Sequence, residues 1–204
     1  MRKLILTAAA AIALLLTVTP GTAYGQVPGL GIEVTPGWSI PTGDFADGAD
    51  GGWIYGIGAT YRLLTRLDVY VGYSNVDHGS ETWPSPLGGE ETWDVGIVSD
   101  AFRLGVRYLV PVAGFDPWIG GGVHASQTTF TFSAGGESSR ERMDRRPGWE
   151  VGAGAYVTLA DRISLVPAVR YSSHPLRRTD AQGFTYDGHD VTYVALEVGL
   201  RFGF

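Results

Sequence analysis

The chain has 204 residues and no cysteine, which excludes a disulfide framework, a thiolate metal site and a lipid-modified cysteine. Its formal charge is −6 and its only lysine is Lys3, so it offers nucleic acid no basic tract. Stability must come from a core or from a membrane, and the length suits one domain.

Residues 1–25 read as a cleaved secretory signal peptide, and residues 26–204 as the mature domain. Arg2 and Lys3 form a short basic segment, and Leu4 to Val18 is apolar. Pro20 and Gly21 follow, then two small-residue cleavage patterns, Gly21-x-Ala23 and Ala23-x-Gly25. Cleavage is expected after Gly25. The apolar run is too short and wrongly flanked for a membrane helix.

After residue 25 no segment has a helical period; apolar and small or polar residues alternate instead, as in strands with two different faces. The alternation predicts eight strands, at 30–40, 52–63, 67–77, 97–110, 117–132, 148–159, 163–174 and 190–204. Three connections are short: Leu64-Thr65-Arg66, Pro111 to Asp116, and Ala160-Asp161-Arg162. Four are long and polar: 41–51, 78–96, 133–147 and 175–189. Short turns at one end and long loops at the other predict an all-β fold. It is an eight-stranded antiparallel up-and-down transmembrane β-barrel in the bacterial outer membrane. The even strand count puts both termini on the periplasmic side, with the turns.

One face of each strand is large and apolar. On the last strand it holds Val194, Leu196, Val198, Leu200, Phe202 and Phe204. The other face is mostly small, with isolated charges: Glu33, Arg62, Asp68, Arg103, Arg107, Glu150, Arg170, Glu197 and Arg201. A solvated strand face would rarely choose so much glycine, which weakens strands. An eight-stranded lumen has room only for side chains, small ones mixed with a few long ones. An arginine in lipid at mid-depth costs about 2–4 kcal/mol, so nine such charges in lipid would exceed the stability of a domain. The charged face therefore points inward. Arg103 and Arg107 are expected to pair with acids from other strands, Glu150 and Glu197 first, closing the lumen to ions. Aromatics near the loops (Trp38, Trp53, Tyr73, Phe130, Trp149, Tyr171) and near the turns (Tyr61, Tyr108, Phe202, Phe204) predict two interfacial belts.

Several stretches resemble the small outer-membrane β-barrel family of OmpA, OmpX and the opacity proteins. They are Pro41-x-Gly43-Asp44-Phe45, Pro117-Trp118-Ile119-Gly120-Gly121-Gly122, Pro167-x-Val169-Arg170-Tyr171 and Gly199-Leu200-Arg201-Phe202-Gly203-Phe204. The resemblance covers nearly all of the mature chain. It implies that Leu200, Phe202 and Phe204 form the signal read by the barrel-assembly machinery. Family members serve as adhesins, envelope anchors and resistance proteins, so the fold does not name the function.

Three further groups suggest chemistry. His124-x-Ser126 with Glu137 has the residue types of an acyl-transfer triad. It resembles the lipid A deacylases, although Gln127-Thr128 follows the serine where those enzymes carry asparagine. Alternation puts His124 and Ser126 in the lumen, away from a lipid substrate, unless a bulge at Gly120 to Gly122 flips the parity. Arg140, Arg142, Arg145, Arg146, Arg177 and Arg178 suit the phosphates of lipopolysaccharide, against the alternative of pairing with the interleaved Glu141, Asp144 and Asp180. Asp44, Asp47 and Asp50 match no calcium motif, and His174, Asp187, His189 and Asp190 have no recurring ligand spacing. No metal and no cofactor are expected.

The sequence thus predicts a monomeric, non-enzymatic barrel that stabilises the envelope or meets surface partners through long extracellular loops. Lipid, lipopolysaccharide and the assembly machinery are its expected partners, and nucleic acid is not one. A narrow ion or small-solute channel is the alternative, and a lipid A deacylase the second.

Overall fold

In the computed structural model, residues 29–84, 92–110, 112, 116–135, 137–179 and 185–204 are described. The expected signal peptide lies outside them. Eleven strands follow in chain order: β1 (Leu30–Pro41), β2 (Gly52–Leu64), β3 (Leu67–Pro84), β4 (Thr92–Leu109), β5 (Asp116–Ala134), β6 (Glu137–Arg142), β7 (Arg146–Ala160), β8 (Ile163–His174), β9 (Arg177–Thr179), β10 (Thr185–Asp187) and β11 (Val191–Gly203). Eight of them close a ring in the order β1-β2-β3-β4-β5-β7-β8-β11, every pairing antiparallel. The seam is β1 against β11, with Ile32 opposite Phe202 and Val34 opposite Leu200.

The faces are inverted relative to a soluble protein. Val34, Ile57, Val71, Leu104, Val106, Ile119, Val151, Leu196 and Val198 are exposed, whereas Glu33, Asp68, Arg107, Glu150, Arg170 and Glu197 are buried. Only a barrel with lipid outside and a packed lumen reconciles these two sets. Trp38 meets Trp53 edge-on at 5.4 Å, and Trp149 meets Tyr171 at 5.5 Å, on the outer wall near the loop end. Phe130 departs from the belt expected of it. It stacks with Phe132 and packs against a cluster inside the loop end of the barrel. It shares the inward parity of His124, Ser126 and Thr128.

Three expected loops are partly strand. β3 and β4 pair beyond residue 77, past a bulge between Asp77 and Ser80. Gly79 there has φ +75°, and its N–H donates to the Asp77 carboxylate at 3.0 Å. β5 pairs with β7 as far as Ser126, then with β6 from Thr129 to Ala134. β9 and β10 pair antiparallel as a small separate sheet. The outward positions of these extensions are polar or small (Thr82, Asp94, Gly96, Ser133), while Val95 still faces the buried cluster at the loop end. The large apolar outer face that marks the membrane strands is therefore missing from their sequence.

Glycine in this wall makes room for lumen side chains. A Cβ on Gly122 would lie 2.4 Å from the Leu104 carbonyl oxygen and 2.6 Å from the Tyr70 hydroxyl. On Gly105 it would meet the same hydroxyl at 2.4 Å. Gly122→Ala is expected to destabilise the barrel by about 1–3 kcal/mol through overpacking. Tyr70→Phe should not rescue it, because the Leu104 oxygen remains. Urea unfolding in micelles checks both variants.

Candidate functional site

The lumen concentrates the polar chemistry, and β4 serves as a ruler along it. Its inward side chains run from Leu109 through Arg107, Arg103 and Ser99 to Ile97 and Val95 at the loop end. At the turn end Arg62 pairs with Asp68, and Arg201 Nε donates to Thr60 Oγ1 at 3.1 Å. Next, Arg107 Nη1 donates to both oxygens of Glu33, at 2.7 and 2.9 Å, and to the Tyr156 hydroxyl at 2.8 Å. Its guanidinium lies 4.5 Å from the Trp118 ring and 5.0 Å from that of Tyr70, close enough for cation–π attraction.

One step further, Arg103 grips Glu150 in a two-pronged pair, Nε to Oε2 at 2.8 Å and Nη2 to Oε1 at 2.9 Å. The Tyr70 hydroxyl also donates to Glu150. Arg170 pairs with Glu197 and approaches Glu150 at 3.9 Å. All four inward acids thus hold an arginine. The partner of Arg107 differs from expectation: it is Glu33, not Glu150 or Glu197. Arg107 sits nearer the turn end, facing β1, while Glu197 is taken by Arg170 on the neighbouring strand.

Above this network lies a hydroxyl and imidazole layer. His124 Nδ1 bonds Ser126 Oγ at 2.6 Å, and its Nε2 meets Ser172 Oγ at 3.0 Å and the Trp149 carbonyl at 3.2 Å. His174 Nε2 meets Thr128 Oγ1 at 3.1 Å, and Thr128 meets Ser99 at 2.9 Å. The loop end is then filled by Phe45, Ile54, Val76, Val95, Ile97, Val191, Tyr193 and Ala195. The fully buried His78 stands between the rings of Phe45 and Tyr193, at 5.0 and 5.2 Å. Phe45 is delivered by a 3-10 turn, Gly43–Asp47, entered through Gly43 at φ +60°. Thr42 anchors the turn: its N–H donates to the Thr192 carbonyl at 2.9 Å. The Pro41-to-Phe45 motif is therefore the stem of a stopper.

Two voids in the charged layers measure about 20 and 10 Å³. That is room for one or two waters, and a hydrated ion does not fit. Tyr70, Tyr156 and Trp118 complete this filling; Trp118 belongs to one of the stretches that carry the family resemblance, while none of the three was expected as a partner of the lumen charges. Strand parity was the available signal, since Tyr70 shares the face of Asp68 and Tyr156 that of Glu150.

The triad residues do not assemble. His124 and Ser126 are both buried in the lumen, so no bulge flips their strand. Glu137 stands opposite Ala134, eight residues beyond Ser126 along β5, roughly 26 Å away at strand spacing. The histidine and aspartate candidates are also scattered. His174 is in the lumen, whereas His189 is exposed and 3.5 Å from Asp44. Asp190 is exposed, and the side chain of Asp187 lies outside the described residues. Among the described residues no three histidines, aspartates or glutamates are arranged around a metal position, the first-loop aspartates included.

The loop arginines are divided. Arg145 Nη2 pairs with Asp100 at 2.5 Å, its Nη1 donates to the Ala125 carbonyl at 2.9 Å, and the group covers the Phe102 ring at 5.2 Å. Arg146 pairs with Asp144 at 3.0 Å, Arg178 pairs with Glu141, and Arg177 is also engaged. Arg140 and Arg142 stand exposed on β6.

No curated protein matches the chain. Among solved structures it is similar to Neisserial surface protein A, at 15% identity, 86% of this chain and 97% of that one, with TM-score 0.57. It is similar to OprG of Pseudomonas aeruginosa, at 17% identity, 88% and 99% coverage and TM-score 0.56. A third likeness is to Ail, the attachment invasion locus protein of Yersinia pestis, at 14% identity, 86% and 100% coverage and TM-score 0.53. Identities this low speak for the fold alone. Residues 8–203 match the family described as the outer membrane protein beta-barrel domain. With a closed eight-stranded ring, a lipid-type outer face and a match over nearly its whole length, the chain belongs to that family.

Proposed function

We propose that this chain is a sealed, non-enzymatic barrel of the bacterial outer membrane, acting at its loop end as an envelope-stabilising or surface-interaction protein. The observation that carries this reading is the filled lumen. Four acid–arginine pairs, three large aromatics and an apolar stopper occupy it among the described residues, and the two voids found within the charged layers measure about 20 and 10 Å³. A pore needs a continuous water path, and a lipid-modifying enzyme needs a reactive group facing lipid. His124 and Ser126 supply neither, being enclosed.

In this reading residues 1–25 are removed on export and residues 26–204 form the barrel. Both termini lie on the periplasmic side with the short turns. The strand extensions at the other end stand outside the cell. Leu200, Phe202 and Phe204 on the seam strand serve as the assembly signal, and the barrel is a monomer in lipid and lipopolysaccharide.

Two measurements on the folded full chain test the proposal. Single-channel recording in planar bilayers should show no steady conductance. The lipid A mass spectrum of cells expressing the protein should be unchanged. A steady open current would replace this reading with the channel. Loss of one hydroxyacyl mass, abolished by Ser126→Ala, would replace it with the deacylase.

A further inference from the structure

Of the six loop arginines, four are held by partners and two are not. Arg145, Arg146 and Arg178 are spent on acids, and Arg177 is engaged. Arg140 and Arg142 are exposed and, among the described residues, their side chains have no ion pair or hydrogen bond. They are alternate residues of β6, so both guanidiniums leave the same face, with backbones about 7 Å apart.

That face is the outer one. Arg142 and Arg140 stand opposite Thr129 and Thr131 of β5, whose parity is opposite to that of the buried His124, Ser126 and Thr128. The next strand contributes Val98 beside Thr129 and Gly96 beside Thr131. A Cβ on Gly96 would meet nothing within 4 Å. The result is a flat apron of small and hydroxyl-bearing residues, edged on one side by two uncompensated arginines. The acids on its far side, Asp94 of β4 and Asp77 of β3, are separated from the arginines by β5 and bond neutral donors. Asp94 accepts from Thr82 at 2.9 Å, and Asp77 accepts from the Gly79 N–H at 3.0 Å.

Its height is set by β4. Phe102 faces outward among the lipid-facing residues, and Asp100, two residues above it, is held on the outer wall by Arg145. A charged pair there marks the end of the hydrocarbon. Val98, joined through Thr129 to Arg142 in register, is four residues above Phe102, or ~13 Å along the strand and about 10 Å along the membrane normal at the usual tilt. The apron therefore lies in the headgroup layer, not out in bulk water.

We propose that Arg140 and Arg142, with Thr129, Thr131 and Gly96, bind the phosphorylated saccharide headgroup of a lipid in the surrounding leaflet, the chemistry of lipid A. Guanidinium forks match phosphate oxygens, and the glycine-floored apron receives the sugar ring. This rests on the reading of the chain as a barrel inserted in that membrane. It gives the barrel a fixed lipid neighbour on its β4–β5–β6 side.

The test is native mass spectrometry of the folded full chain in micelles. It is titrated with diphosphoryl lipid A, with the same lipid dephosphorylated, and with free glucosamine 1-phosphate. The wild type should retain diphosphoryl lipid A over the other two. Arg140→Gln/Arg142→Gln should weaken that retention roughly tenfold. Arg178→Gln, whose charge is spent on Glu141, should stay within about twofold. Unchanged retention in the double variant overturns the site. Equal retention of the dephosphorylated lipid overturns its chemistry, and equal competition by the free phosphosugar overturns its lipid source. An equal loss in Arg178→Gln means diffuse loop charge and no site. A double variant that fails to show the heat-dependent mobility shift of a folded barrel overturns the placement of these arginines as unpartnered. Conductance or deacylation in the wild type sinks the functional reading but leaves the comparison of variants intact; loss of arginine dependence sinks this inference alone.

Discussion

Arg103→Ala is expected to cost the folded barrel on the order of 3–5 kcal/mol. The loss comes from what is left behind. Glu150 is buried, and its two-pronged partner is gone. Tyr70 still donates to it, but Arg170 stands 3.9 Å off and is committed to Glu197. The reverse change, Glu150→Gln, strands Arg103 in the same way. Arg103→Met with Glu150→Gln removes both charges and should cost clearly less than the sum of the single changes. Arg178→Ala provides the internal contrast: its side chain and that of its partner Glu141 are 46% and 32% exposed at the loop end, so water replaces much of the pairing and the cost should stay at ~1 kcal/mol or below. Urea unfolding in micelles, followed by tryptophan emission, measures all four variants. Additive losses for Arg103 and Glu150 would mean that the network is not coupled.

What could be read from the sequence follows from what alternation encodes. The strand period assigns each residue to a face, and that was enough to place His124, Ser126, Glu150 and Arg103 inside. It carries no information on the stagger between strands. Which acid meets an arginine across the lumen depends on that stagger, so the Glu33–Arg107 pair could not be read in advance. Nor does alternation say how far a strand runs once it leaves the lipid. Phe130 illustrates the consequence: an aromatic at a strand end suits a membrane belt, but β5 continues past it and turns the ring onto the stopper. The loop arginines were legible as a class only. Separating Arg140 and Arg142 from the rest required knowing that Asp100, Asp144 and Glu141 are within reach of the others.

Leu104→Arg is expected to cost about 2–4 kcal/mol in lipid vesicles, while Val98→Arg on the same strand and face should cost about 0–1 kcal/mol. Both side chains point outward, so neither change disturbs the lumen. On β4 the lipid-facing residues run Phe102, Leu104, Val106 and Tyr108, all exposed. With Phe102 and Tyr108 at the two ends of that run, Leu104 lies near mid-depth. Val98 lies beyond Asp100, where a charged pair already tolerates the surroundings. Depth alone separates the two substitutions. Leu104 also adjoins Arg103, so one strand carries, at consecutive positions, a charge the fold requires and a site where the same charge is costly. Reversible urea titration in vesicles reads the difference. Equal costs at residues 98 and 104 would move the hydrocarbon boundary upward, past the Asp100–Arg145 pair. They would also remove the height argument for the β4–β5–β6 apron.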